Sequence, residues 1–171
     1  MVHHGGNIGS PSTRLANAMA ARECIEVGNA LYGEGAVREL PGTQAGKREH
    51  HIPGPNPGTT KGSSYVDVTL QAHIENVVRY VFINVSSRLR SNPGQMTADE
   101  QRRYDNLEKN RTARRPNAFL DDVRKITPDI ATDKIAREAY RRYLHDECVR
   151  VFSMVDAALA GDGIRLRPQR N

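Results

Sequence analysis

A single carboxylate inside an apolar, β-rich run is the residue of this sequence that most needs a chemical explanation. Asp67 lies between Val66 and Val68, in a stretch where apolar and polar residues alternate. A carboxylate in the middle of a strand lowers stability unless it is solvated, paired or bound to a metal ion. Asp67 is therefore the first candidate for a catalytic or metal-binding residue.

The β-rich run that follows carries two further polar residues, Asn84 and Ser86. This second run is otherwise nearly all apolar, which is typical of a centrally buried strand. If the two runs pair as a hairpin over residues 64–86, Asp67, Asn84 and Ser86 can lie on one face of the sheet. Arg88, just beyond the hairpin, can supply positive charge if the strand bends there.

A predicted helix precedes the hairpin. Ser10 with the proline after it is a favourable helix start, and Gly33 is a suitable end. Apolar residues recur at helical spacing between them and predict a buried stripe. Glu23 and Glu26 border that stripe, where glutamate side chains are usually solvated.

Further helices are predicted after the hairpin. Thr97, with Glu100 three residues later, forms a capping box, which indicates a helix start. Residues 119–126 favour a short amphipathic turn or helix, and a long helix is predicted from Thr127 or Thr132 to about Ala160. The order of elements predicts an α+β fold. Its small central β-sheet is the hairpin, flanked by the N-terminal helix and two or three C-terminal helices.

The length and cysteine content favour one reduced domain. A chain of 171 residues is the usual size of a single domain. We assign residues 1–9 to a disordered linker or cloning remnant, 10–160 to the α+β domain and 161–171 to a basic tail. A loop rich in proline and glycine precedes the hairpin, and a short strand is possible at its start, near residue 36. Cys24 and Cys148 are too few for a disulfide framework, so two buried thiols are expected.

The charge of the chain favours an anionic partner. The formal net charge is +5 and the isoelectric point is about 9.5, which fits nucleic acid as a ligand. No apolar run approaches the ~20 residues that cross a membrane, and no secretory signal is recognisable. The basic residues that we predict to contact nucleic acid are Lys61, Arg90, Arg102, Arg103, Arg114 and Arg115.

The order of these features resembles the restriction-endonuclease-like fold. A helix carrying glutamate comes first, Asp67 follows in a strand, and Asn84 and Ser86 occupy the (D/E)-x-K part of the PD-(D/E)-x-K motif. In that family two acidic groups hold a divalent metal ion and the lysine assists the attacking water. Segments such as GTTKGSSYVDVTL and MTADEQRRYDNL look like toxin domains of this fold, found at the C-termini of large bacterial secreted proteins. The resemblance covers about residues 20–110.

The resemblance implies a metal-dependent nuclease toxin that hydrolyses phosphodiester bonds in DNA or RNA. Asp67 and Glu26, with Glu23 as an alternative to Glu26, would hold Mg²⁺ or Mn²⁺. Such a toxin would be secreted as part of a larger bacterial effector and act in the cytoplasm of the target cell. Its producer would neutralise it with an immunity protein, which we expect to be acidic because this chain is basic.

Two positions depart from the family motif. Asn84 replaces the second acid and offers only a neutral oxygen to a metal ion, while Ser86 replaces the lysine and cannot act as an ammonium group. Arg88 is the nearest replacement for the missing positive charge. Glu100 could replace the missing acid if the first turn of its helix packs against the end of the strand.

Two other functions remain open. His50, His51 and His73 have a spacing similar to that of ββα-metal endonucleases, although the asparagine of that family is not where it should be. Alternatively, the domain is a non-catalytic module that binds nucleic acid or a protein partner through its basic surface. Cleavage that depends on a metal ion separates an enzyme from such a module.

Overall fold

The computed structural model describes residues 11–56, 58–59, 61–125 and 130–161, and it confirms the predicted α+β fold. Three helices surround a four-stranded mixed sheet, and two short strands form a second sheet. The elements in chain order are α1 (Pro11–Tyr32), β1 (Val37–Glu39), β2 (His50–Ile52), β3 (Ser64–Val66), β4 (Val68–Ile74), β5 (Val77–Ser86), α2 (Ala98–Arg114), β6 (Ala118–Arg124) and α3 (Lys134–Gly161).

The main sheet has the order β1-β4-β5-β6. Strands β1, β4 and β5 form an antiparallel meander, whereas β6 runs parallel to β5. Strand β6 is reached through α2, because parallel neighbours need a crossover connection. The predicted short strand near residue 36 is therefore β1, an edge strand of this sheet.

The predicted hairpin is present, and its turn is only two residues long. Strand β4 continues to Ile74, and only Glu75 and Asn76 form the turn. Both turn residues have positive φ, 49° and 67°, which is the geometry of the two-residue turns that match the twist of antiparallel strands. The first predicted run is also divided, because β3 pairs with β2 in the second sheet while β4 belongs to the main sheet.

Residues 118–124 form strand β6, so our prediction of a turn or helix over 119–126 was wrong there. The strand pairs with β5 over seven residues, from Ala118 opposite Tyr80 to Arg124 opposite Ser86. Short apolar runs fit a buried strand and a helix equally well, and only the neighbouring strand decides between them.

Helix starts follow local capping. The Thr97 hydroxyl accepts a hydrogen bond from the Glu100 backbone amide at 3.3 Å, as the capping box predicts. At the start of α3, the Asp133 carboxylate accepts from the amides of Ile135 and Ala136, both at 3.0 Å. Asp133 therefore caps α3 rather than Thr132, and Thr127 lies outside the described residues, as does Ser10.

The core lies between the main sheet and the pair α1 and α3. Gly28 allows this close packing, since a Cβ there would lie 2.4 Å from a Val37 methyl group. Cys24 and Cys148 are both buried and form a disulfide between α1 and α3, which corrects the prediction of two thiols. Two cysteines on adjacent helices suffice for one bond, although they do not make a framework. A smaller cluster that includes Phe82 and Leu107 joins α2 to the other side of β5.

None of the described helices has a stretch long and apolar enough to cross a bilayer.

Candidate functional site

Asp67 lies at the break between β3 and β4. The hydrogen-bonded register of β4 with β5 begins at Val68, opposite Ile83, so Asp67 is the residue just before the chain enters the main sheet. The carboxylate accepts a hydrogen bond from the Val85 backbone amide at 2.7 Å. Asp67 thus provides a partner for an amide at the end of the ladder, which is a structural role in addition to any chemical one.

The pKa of Asp67 is raised to about 7. Burial is the largest cause, because it disfavours the charged form, and the negative charges of Glu100 and Glu49 act in the same direction. The Val85 amide and the Arg103 guanidinium oppose this rise. A carboxyl group in this state gains and loses its proton near neutral pH, as a general base or acid must.

Asp67 opens onto a cavity of about 900 Å³. One wall is the first turns of α1, including Thr13, Arg14 and Asn17. The loop after β1, Val85, the first turns of α2 and Lys125 also line the cavity. The volume lies within the range of small-ligand sites, so a nucleotide-sized group can enter.

Four carboxylates and five basic side chains line this cavity: Glu39, Glu49, Asp67 and Glu100, with Arg14, Lys47, Arg48, Arg103 and Lys125. Two of the basic groups are paired with acids. Arg48 lies 2.7 Å from Glu39, and Arg103 lies 3.5 Å from Glu100.

The other three basic groups of the cavity have no acidic partner among the described residues. Within the described part of the chain, no carboxylate lies at ion-pair distance from Arg14, Lys47 or Lys125. Asp67 and Glu49 are the acids left to balance them, and the raised pKa of Asp67 reduces its negative charge. The cavity therefore favours an anionic ligand.

Lys125 is the lysine that sequence reasoning did not find. It follows β6, and its backbone amide donates to the Ser86 carbonyl at 2.7 Å, so it flanks the strand position where the family motif has lysine. Its ammonium group donates to the Thr13 hydroxyl at 3.3 Å. Lys125 is 58 positions from Asp67 in sequence, and only the parallel pairing of β6 with β5 brings it to the cavity.

Asn17 is the second residue that the sequence did not reveal. Its side chain is 8% exposed, lines the cavity and has an Oδ1 atom with no hydrogen-bond partner among the described residues. Buried polar atoms are nearly always satisfied, so an unsatisfied one in a cavity wall indicates a place for a ligand or water.

Asn84, Ser86 and Arg88 form a separate cluster around Asp122. The Asn84 amide and the Ser86 hydroxyl each donate to the Asp122 carboxylate at 2.9 Å. Arg88 donates to both Ser86 and Asp122. Side chains alternate between the two faces of a strand. Val85 lines the cavity, so Asn84 and Ser86, its neighbours on β5, lie on the opposite face. The expected juxtaposition of Asn84 and Ser86 with Asp67 is therefore not found.

The two predicted helix glutamates lie apart from Asp67. Glu23 is buried and interacts with α3, 3.3 Å from His145 and 3.7 Å from Arg141. Glu26 is exposed and lines a second, smaller cavity. By contrast, Glu100 lines the Asp67 cavity, which is the arrangement that its alternative role as the second acid required.

Most of the predicted nucleic-acid contacts have partners within the protein. Arg102 pairs with Asp99, Arg114 donates to the Gly54 carbonyl at 3.0 Å, and the Arg115 guanidinium lies 5.3 Å from the centre of the Tyr80 ring. Arg103 lines the Asp67 cavity, and Lys61 and Arg90 are exposed.

The donor set fits a hard divalent cation only in part. Among the described residues, no three His, Cys, Asp or Glu side chains form a group that could hold a metal ion, and this applies also to His50, His51 and His73. Mg²⁺, however, often takes one or two protein carboxylates and completes its shell with water and substrate phosphate. Asp67 together with Glu49 or Glu100 is a set of that size.

No protein-family model matches the chain, and searches of curated proteins and of solved structures return no significant match.

Proposed function

We propose that this protein is a nuclease that hydrolyses phosphodiester bonds in DNA or RNA at the Asp67 cavity. The observation that carries the proposal is one arrangement: a carboxyl group with a pKa of about 7 shares a cavity with three basic side chains that have no acidic partner in the described part of the chain. Phosphodiester hydrolysis needs a group that accepts a proton near neutral pH and positive charge that holds the phosphate.

Asp67 is assigned the role of general base. One of its oxygens is fixed by the Val85 amide, which orients the carboxylate and leaves the second oxygen for the attacking water. Burial keeps the proton affinity of this group high enough to remove a proton from water at neutral pH. The Thr13 hydroxyl holds the Lys125 ammonium group in the same cavity.

Lys125 and Arg14 are assigned to the phosphate. Both are cations in the cavity wall, and the negative charge of a phosphodiester increases on its oxygens as the bond to water forms. Lys125 thus provides the ammonium group that Ser86 cannot provide from the strand.

The resemblance implies Mg²⁺ or Mn²⁺, and Asp67 with Glu49 or Glu100 would hold it. When bound, such a cation supplies Lewis-acid polarisation of the phosphate and activation of water. Asp67 is required in either role, as metal ligand or as base, so its replacement tests the site with and without added metal.

The bacterial toxin assignment and the acidic immunity protein belong to the same proposal. An acidic partner would be attracted by the unpaired basic groups of the cavity and could close it by inserting carboxylates beside Lys47 and Lys125. Secretion as part of a larger protein and action in the cytoplasm of the target cell follow from the resemblance alone.

The test is incubation of the purified protein with plasmid DNA and with total RNA, in Mg²⁺, in Mn²⁺ and in EDTA. We expect cleavage of at least one substrate, and a loss of at least 100-fold in rate with Asp67→Ala, on the order of one general base. Asp146→Asn, an exposed carboxylate on α3, is the matched control. Full activity of Asp67→Ala, or no cleavage under any condition, would refute the proposal.

The second candidate is a non-catalytic binding module. It is favoured by the Asp122 cluster, because the strand positions that carry catalytic groups in the family that the sequence resembles are here engaged in a hydrogen-bonded network. Salt-sensitive binding of nucleic acid without cleavage would support this alternative.

A further inference from the structure

A second cavity of about 500 Å³ lies beside the Asp67 cavity, along the outer face of α1. Glu39 and Arg48 line both cavities, and their ion pair of 2.7 Å stands where the two meet. The two cavities therefore adjoin at this ion pair, so a phosphate in the larger cavity and a neighbouring base in the smaller one would lie on either side of it.

The smaller cavity combines an apolar surface with two charged groups. Ala18, Met19 and Ile25 provide the apolar part, at helical spacing on one face of α1. Arg22 and Glu26, one turn apart on the same face, provide the charges. In the described part of the chain, no ion pair joins Arg22 or Glu26 to another side chain of this cavity. The ion pair at its boundary is formed by Glu39 and Arg48.

We propose that this smaller cavity binds a guanine base adjacent to the scissile phosphate, an inference that rests on the proposed nuclease function. A flat base can lie on the apolar side chains while its edges meet the charged ones. Guanine presents two neighbouring N–H donors on its Watson–Crick edge, which match the two oxygens of the Glu26 carboxylate. Its O6 and N7 acceptors match the guanidinium of Arg22.

The other bases match this pair of groups less well. Adenine and cytosine each present one amino donor beside a ring nitrogen acceptor, so a carboxylate meets one attraction and one repulsion. Uracil and thymine present one N–H donor between two carbonyl acceptors, so guanine is the base that satisfies Glu26 with two hydrogen bonds. Because its Watson–Crick edge is occupied in a duplex, the preferred substrate is an unpaired guanosine in a single strand or loop.

The test is titration calorimetry of the full chain with GMP, AMP, CMP and ribose 5-phosphate. We expect GMP to bind about tenfold or more tightly than AMP or CMP, the usual discrimination of one bidentate contact. Glu26→Gln should reduce the affinity for GMP to that for AMP and leave that for ribose 5-phosphate unchanged. Glu34→Gln, an exposed glutamate outside both cavities, is the matched control.

Equal affinities for the three nucleotides, or a GMP preference that survives in Glu26→Gln, would overturn the inference. Mapping of cleavage sites in single-stranded oligonucleotides separates it from the proposed function. Cleavage without preference for guanosine would overturn the base site and leave the nuclease. Selective GMP binding without cleavage would support the base site and count against the nuclease.

Discussion

The surroundings of Asp67 shift the pKa of its carboxyl group in opposite directions. Removal from water favours its neutral form, and the nearby charges of Glu100 and Glu49 add to that effect. The Val85 amide and Arg103 favour the charged form, yet the pKa of Asp67 remains raised to about 7. A purely structural partner for Val85 would not need to be ionisable, because an asparagine oxygen accepts the same hydrogen bond.

Asp67→Asn is therefore expected to be more stable than the wild type above neutral pH, measured in EDTA. A carboxyl group whose pKa rises from 3.8 to about 7 on folding contributes stability that is fully present below its unfolded value and is lost as the pH rises through 7. Asparagine has no charge to bury. Its advantage should grow between these pH values to on the order of a few kcal/mol and then stay constant.

Urea unfolding at pH 5, 6, 7 and 8 measures this difference. Asp146→Asn, on the exposed face of α3, should show no such pH-dependent difference from the wild type. A difference between Asp67→Asn and the wild type that does not change with pH would show that burial does not raise the pKa of Asp67.

At the scale of single residues, the candidate carboxylate was predictable from the sequence, whereas the residues that line its cavity were not. Asp67 was predictable because a charged residue between two valines contradicts its local pattern. Lys125 and Asn17 fit their own segments without contradiction, so nothing local marked them. Asn84 and Ser86 were placed beside Asp67 because the break after β3 could not be seen in the alternation of residues.

At the scale of elements, α1 lines the two cavities with different faces. Asn17 and Glu26 are nine residues apart, which is about 2.5 helical turns and places them on opposite sides of the helix. Asn17 is buried and lines the Asp67 cavity, whereas Glu26 is exposed. The sequence predicts a glutamate on this helix. Whether that glutamate faces Asp67 depends on how α1 packs against the rest of the protein.

The disulfide between Cys24 and Cys148 fixes that docking. It joins α1 to α3 across 124 residues of sequence. We expect Cys24→Ala/Cys148→Ala to lower the free energy of unfolding by about 2–4 kcal/mol, because the unfolded chain regains the freedom that the bond removes. Denaturant unfolding with and without dithiothreitol measures the loss, and the reductant should weaken the wild type but not the double variant. Equal stability of the two proteins under oxidising conditions would contradict this assignment.

At the scale of the whole molecule, the sequence was sufficient for the fold class and insufficient for the topology. The hairpin, the first helix and the capped second helix follow from local patterns that the structure confirms. Strand β6 was missed because nothing in its seven residues favours a strand over a helix, and only the parallel pairing with β5 makes them a strand. Strand β6 carries Asp122 and is followed directly by Lys125. The positions of both residues relative to β5 were therefore missed together with the strand.

The chain has a net charge of +5, and many of its basic side chains are paired with nearby acids. Much of the basic surface of α2 is neutralised by acids three residues away, as in Arg102 with Asp99 and Arg111 with Glu108. Exposed pairs of this kind contribute little to long-range attraction. The Asp67 cavity is where the positive potential is expected to concentrate, because Lys47 and Lys125 have no acidic partner among the residues that the structure describes.

The salt dependence of nucleic-acid binding tests this distribution. The slope of log affinity against log salt is negative, and each phosphate contact that is removed lowers its magnitude by about 0.7 to 0.9. Lys47→Ala/Lys125→Ala should therefore lower the magnitude of the slope by about 1.4 to 1.8. The matched control is Lys109→Ala/Lys134→Ala, which removes two exposed lysines outside the cavity and should leave the slope nearly unchanged. Fluorescence anisotropy with a labelled oligonucleotide over a series of salt concentrations, in EDTA to prevent cleavage, gives both slopes. If the two double variants lose the same amount, binding follows the net charge rather than the cavity, because nucleic acid would then be held by the whole basic surface.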